Sequence, residues 1–276
     1  MRVLKKLIPN FLKEKIKVEI NKNYLFSGWN MQTNTCPPWK YTKSKFTNNA
    51  QINYFYEIQK QFENLIINKK FFSNQFEFNL FEKSQELMWR HYNLALSIKY
   101  VLKRNRLNLS FCEVGVADGI TAWFVLKVLE KEKIEHKNFW LYDSWEEMRE
   151  EYLEADEYSK IGKFKNNNLN ITQNNLSSFK NIKFIKGYIP KVFNNEEHFP
   201  EICDWLHIDL NSSTATMETL NFFEGKLNKK SLIVFDDFGW PSYETTRIAI
   251  EKWCTSRNGM LWPLPTGQAI YFIDND

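Results

Sequence analysis

The chain has four cysteines in 276 residues, Cys36, Cys112, Cys203 and Cys254, and no two stand as C-x-x-C. Three fall in or beside apolar segments, which predicts reduced, buried thiols in a cytoplasmic protein. Long apolar runs are also missing. In the N-terminal "MRVLKKLIPNFLKEKIKVEI", Pro9 and Lys13 cut the run far below what a signal sequence or spanning helix needs. What remains is a basic amphipathic stretch, read as a short helix packed on the domain or a second subunit rather than on a membrane surface. A basic stripe is lacking too: the net charge of +4 is spread over many lysines and glutamates, so no nucleic-acid partner is expected. No internal repeat or weighty low-complexity tract occurs. With 43% hydrophobic and 25% charged residues, the chain has the composition of an ordinary globular protein.

Organisation follows from period. Residues 24–50, with "CPPWKYTKSKFTNNA", read as loop. Phe55, Ile58, Phe62 and Leu65, and then Leu87, Leu94, Ile98 and Leu102, recur at helical spacing and predict two core-facing helices. From residue 109 onward short apolar runs alternate with helical segments. "LSFCEV", "NFWLY", "IKFIKG", "WLHID" and "LIVFDD" are the runs, with helices expected over about 120–132 and around Leu220, Phe223 and Leu227. This alternation predicts an α/β fold with a doubly wound, Rossmann-like sheet covered on both faces. A sheet-bearing domain over 81–276 follows an N-terminal helical extension, 1–80, expected to cap the site or make an oligomer contact. The acid-rich connection "SWEEMREEYLEADEYSK" is either a solvated helix face or a lid over the ligand end of the sheet. Asn166 to Asn168 suggest a mobile loop.

In an open parallel sheet the ligand lies beyond the carboxyl ends of the strands. Those ends here deliver acids: Glu113, Asp143, Asp209, Asp236 and Asp237. One such acid is an ordinary helix cap, but five imply a cationic or hydroxyl-rich ligand, because crowded carboxylates repel without cations or donors between them. The first turn, "GVADG", is a poor dinucleotide fingerprint, since Ile120 stands where the third glycine belongs. That counts against a nicotinamide-dependent sugar enzyme. S-adenosylmethionine suits the turn better: Gly115 and Gly119 allow close backbone approach, and Asp143 accepts from ribose hydroxyls. Asp209, Asp236 and Asp237 could together hold a hard cation such as Mg²⁺, helix capping being the plainer alternative, strongest for Asp237.

The segments "EVGVADGITA", "LYDSWE", "IKFIKGYIPKVF", "LHIDLNSSTATM", "IVFDDFGW" and "PTGQAIYF" occur in the order of a known family. The chain resembles class I S-adenosylmethionine-dependent methyltransferases of the macrocin O-methyltransferase-like group over residues 80–273. The resemblance implies that Glu113, Gly115, Ala117, Gly119, Thr121, Asp143 and Ser144 form the cofactor site and that Asp209, Asp236 and Asp237 hold Mg²⁺. It implies methylation of a hydroxyl on a sugar, glycosylated metabolite or glycan, in the catalytic neighbourhood of Asp209 and Asn211. The chain departs from the family at Asn211, where the second acid of D-x-D serves as base, and at Ser213, where an aromatic is common. An amide cannot accept the proton. His207, two residues before Asp209 on the same side of the strand, is the candidate substitute. The departure also admits a catalytically silent protein that keeps the cofactor fold.

Overall fold

The computed structural model describes residues 50–72, 80–104, 107–240 and 242–273. The basic N-terminal stretch, Cys36 and the loop over 24–49 lie outside the described residues. Two helices come first, α1 (Ala50–Ile67) and α2 (Leu80–Arg104). The chain then alternates through β1 (Ser110–Val114), α3 (Ile120–Lys131), β2 (Asn138–Asp143), α4 (Leu169–Asn175), β3 (Ile182–Lys186), β4 (Trp205–Ile208), α5 (Ser213–Glu224), β5 (Leu232–Phe235) and α6 (Glu244–Thr255). It closes with the hairpin β6 (Gly259–Pro263) and β7 (Ala269–Ile273).

The seven strands form one sheet in the order β3-β2-β1-β4-β5-β7-β6. The first five are parallel, and β7 pairs antiparallel with both β5 and β6. After β3 the chain crosses back to place β4 on the other side of β1, so strand order reverses between β1 and β4. A ligand crevice opens at such a reversal, beyond the strand ends.

Strands β1, β4 and β5 are buried along their whole length, because helices cover both sheet faces. Phe111, Leu141, Trp205 and Val234 face one core, which includes Phe55, Ile58 and Phe62 of α1, Leu94, Ile98 and Leu102 of α2, and Phe124 of α3. Cys112, Tyr142, Leu206 and Ile233 face the other, against Leu220 and Phe223 of α5 and Ile250 and Trp253 of α6. Phe55, Ile58 and Phe62 of the stripe expected over α1 and Leu94, Ile98 and Leu102 of that over α2 are therefore core residues, Leu65 packs half-buried against them, and the Leu87 side chain lies outside the described residues. Phe62 alone, at 1% exposure, contributes about 1.5–3 kcal/mol by burial. Cys112, Cys203 and Cys254 are buried free thiols. No helix among the described residues is long and apolar enough to cross a membrane.

The two-residue alternation also sorts the polar residues. Glu113 shares the Phe111 face of β1, and His207, its partner across the strand pair, shares the Trp205 face of β4. Continuing the β5 and β7 alternation past the strand ends puts Asp236 and Gln268 on that same face, the one α2 covers.

Candidate active site

The turn after β1 is built by close approach. Gly115 has φ 90°, and a Cβ there would stand 1.7 Å from the carbonyl oxygen of Asp209, so only glycine fits. Gly119, at φ 82°, precedes α3, and a Cβ there would come within 3.0 Å of Thr172 Cγ2. Asp143 organises the same turn: Oδ2 accepts from the backbone N–H groups of Val116 at 2.7 Å and Ala117 at 2.9 Å, and Oδ1 from that of Trp145 at 2.6 Å. The far side is fastened by residues that the sequence pattern did not single out. Trp145 Nε1 donates to Thr172 Oγ1 at 2.9 Å and to the Ala117 carbonyl at 3.0 Å, and Asn175 Nδ2 donates to the Asp118 carbonyl at 2.8 Å. Their signal was weak because a tryptophan in an acid-rich segment and polar residues on a short helix read as surface.

Glu113 lies at the base of this turn, 1% exposed. Burial, and after it the charges of Asp209 and Asp143, push its carboxyl well above the usual glutamate range. Its Oε1 lies 3.3 Å from His207 Nδ1, while Oε2 has no hydrogen-bond partner among the described residues. His207 is fully buried and is not part of the cavity wall. Burial, assisted by the charge of Arg90, holds its pKa down to about 3, so the ring is neutral. Its Nε2 faces Asp236 Oδ1 at 3.7 Å.

Asp236 is 2% exposed and tied down from several sides. Gln268 Nε2 donates to Oδ1 at 2.9 Å, and Asn93 Nδ2 of α2 holds Gln268 in turn through Oε1 at 3.1 Å. Arg90 of α2 pairs with Oδ2 and reaches to 3.9 Å from Asp209 Oδ2. Asp209, Asp236 and Asp237 each offer a carboxylate oxygen within 4.8 Å of one another. Such an all-oxygen set fits a hard divalent cation. Burial, then the Asp209 charge, raises Asp237 to about 7.

Asn211, at φ 57°, donates its backbone N–H to Asp237 Oδ2 at 3.1 Å. Its side-chain oxygen accepts from the Tyr243 hydroxyl. Tyr243 is pushed well above the ordinary tyrosine range, by burial first and then by Asp237, Asp209 and Glu157. The acid-rich connection is neither a continuous helix nor wholly solvated. It forms two short 3₁₀ turns, Glu150–Tyr152 and Ala155–Lys160, at the cavity rim. Buried Lys160 donates to the Asn211 carbonyl at 2.8 Å and lies 3.8 Å over the Tyr243 ring. Glu157 accepts from the Ser213 N–H at 2.9 Å, at the start of α5. Tyr152 and Leu153 of this connection, and Phe164 after it, line the cavity.

One cavity of about 440 Å³ collects these groups. Glu113, Gly115, Ala117, Thr121, Asp143, Ser144, Asp209, Asn211, Asp236 and Asp237 line it. Gly119 supports the turn from outside the wall, packed on α4. Arg90, Trp240 and Tyr243 were missed in the sequence and also line it. Their only sequence signal is nearness to a predicted helix or strand end, which many surface residues share.

Residues 112–238 match the profile of a family described as a methyltransferase domain. Among solved structures, the O-methyltransferase NovP superposes with a TM-score of 0.59 at 14% identity, covering 68% of this chain and 81% of NovP. The calicheamicin methyltransferase CalS11 gives 0.52 at 12% identity, covering 80% of this chain and 93% of CalS11. Its apo form, described as a TDP-rhamnose 3′-O-methyltransferase, gives 0.51 at 15% identity, covering 80% and 94%. No curated protein sequence matches the chain. Residues 112–238 thus match a methyltransferase domain, and the fold around them is similar to that of the O-methyltransferase NovP.

Proposed function

We propose that the chain transfers the methyl group of S-adenosylmethionine to a hydroxyl of a sugar, glycosylated metabolite or surface glycan, with Mg²⁺ at the carboxylate trio. The observation that carries this reading is the convergence of Asp209, Asp236 and Asp237 beside the Gly115 turn in one cavity. NovP and CalS11, O-methyltransferases of the same fold, support the oxygen acceptor, and CalS11 the sugar.

In this reading the Gly115 turn receives the cofactor, and Glu113 Oε2, buried without a protein partner, accepts from its ammonium group. Asp143 has already spent both oxygens on backbone N–H groups, so its remaining lone pairs serve the ribose while it holds the turn in shape. Thr121 and Ser144 complete the wall. Mg²⁺ bound by Asp209, Asp236 and Asp237 would supply Lewis acidity that lowers the pKa of an acceptor hydroxyl. Trp240 and Tyr243 offer aromatic faces to a sugar ring. His207, sealed from the cavity, positions Asp236 and takes no proton from the acceptor. Asn211 orients the acceptor through its amide. Within the 1–80 segment, α1 packs into the core beside the sheet and the residues before it are read as a cap or a subunit contact, and the buried free thiols suit a cytoplasmic setting.

The test is methyl transfer from labelled S-adenosylmethionine to a panel of nucleotide sugars and glycans, with and without EDTA. Transfer to a sugar hydroxyl, lost in EDTA and restored by Mg²⁺, is expected; full activity in EDTA would remove the metal role. Asn211 favours a second reading, a cofactor-binding protein without turnover. S-adenosylhomocysteine binding with no transfer to any acceptor would select it.

A further inference from the structure

We propose that Arg90 is a built-in cation that occupies the carboxylate trio and competes with the divalent ion for it. This rests on the metal reading above and concerns a residue outside the ligand set. Asp236 is buried, and its Oδ1 is engaged by Gln268 at 2.9 Å and faced by His207 at 3.7 Å. Oδ2 receives neither of these groups, and the Arg90 guanidinium is paired with it. The same nitrogen lies 3.9 Å from Asp209 Oδ2, so one guanidinium bridges two of the three carboxylates.

A divalent ion entering between Asp209 and Asp236 therefore meets a positive charge already there. Like charges repel across such short distances, and repulsion is weakly screened where Asp236 is nearly buried. The guanidinium must withdraw from Oδ2 as the metal binds. In the metal-free protein it prevents the opposite fault, three carboxylates repelling with no cation among them. Arg90 sits on α2 one turn before Asn93, whose amide holds Gln268 against Asp236. The helix thus carries both a competitor for the metal and a support for one of its ligands.

The experiment uses the full chain with Mg²⁺ as probe. Arg90→Gln removes the charge but keeps a donor for Asp236, and Arg90→Lys keeps the charge. Calorimetric titration is expected to show Mg²⁺ binding about tenfold tighter in Arg90→Gln than in the wild type, with Arg90→Lys near the wild type. The melting temperature of Arg90→Gln is expected to drop in EDTA and to recover in Mg²⁺. If the wild type binds Mg²⁺ and Arg90→Gln binds it no more tightly, the competition is wrong while the metal reading stands. If neither binds Mg²⁺, the metal reading fails and takes this inference with it. A measurement on the wild type alone guards against a variant that does not fold: phenylglyoxal labelling of Arg90, read by mass spectrometry without cofactor, is expected to rise on Mg²⁺ saturation. Unchanged or reduced labelling would overturn the proposal.

Discussion

The carbonyl oxygen of Asp209 lies where a Cβ on Gly115 would have to be, 1.7 Å from its ideal position. The Gly115 turn and the first metal-ligand candidate are thus packed backbone to backbone, across the β1–β4 reversal. Gly115→Ala must both leave φ 90° and push the two strand ends apart. We expect a stability loss above about 4 kcal/mol or no soluble protein, measured by urea unfolding. A stable Gly115→Ala protein that binds S-adenosylhomocysteine normally would refute this packing.

Asp143→Asn tests whether this carboxylate shapes the turn. The amide has one oxygen for three backbone N–H groups now shared between Oδ1 and Oδ2. One or two buried donors lose their partner, at about 1–3 kcal/mol. S-adenosylhomocysteine affinity, read by calorimetry, should fall at least tenfold together with the melting temperature. An affinity loss with no stability loss would mean that Asp143 serves the ligand alone.

Glu113 gives a pH dependence of definite sign. In the fold its carboxyl holds the proton well above the ordinary 4.5, chiefly through burial. The unfolded chain therefore binds fewer protons than the native state above pH 4.5, and stability falls as pH rises, by at most about 1.4 kcal/mol per unit, until the folded carboxyl ionises. Glu113→Gln copies the protonated form and can donate to His207 Nδ1. Urea unfolding should find the variant more stable than the wild type at pH 8, with the advantage gone near pH 4. A wild type whose stability relative to the variant rises with pH would contradict the assignment.

Asn211→Asp restores the D-x-D pattern of the family that the sequence resembles, in which the second acid is expected to act as base. General-base assistance is worth about 10²-fold or more when geometry is right, and the Tyr243 hydroxyl already fixes the side-chain orientation. We expect kcat for a competent acceptor to rise by about 10²-fold, with Asn211→Ala falling below the wild type. A slower Asn211→Asp enzyme would show that this site needs the amide.

Much of the sheet was legible in the chain. The apolar runs "SFCEV", "NFWLY" and "LIVF" have a strand's length and composition, and Phe55, Ile58 and Phe62 have a helix's period. Those patterns arise from local backbone geometry, which any reader of the sequence can apply. The acids at the strand ends followed, because a parallel sheet always presents its carboxyl ends together. His207 shows the boundary of that logic. Strand parity correctly put it on the side of Asp209, yet parity does not tell a cavity wall from a core, and α2 buries it completely.

What the sequence determined by itself was the set of elements, the class of fold and the rim of acids, since each depends on residues near one another in the chain. The tertiary structure alone decided which charges meet. Arg90 reaches Asp236 from a helix 146 positions earlier, Gln268 braces it from 32 positions later, and Lys160 and Tyr243 converge on Asn211 from opposite sides. Such meetings follow from strand register and helix docking over long sequence separations. A single residue identity carries no trace of them.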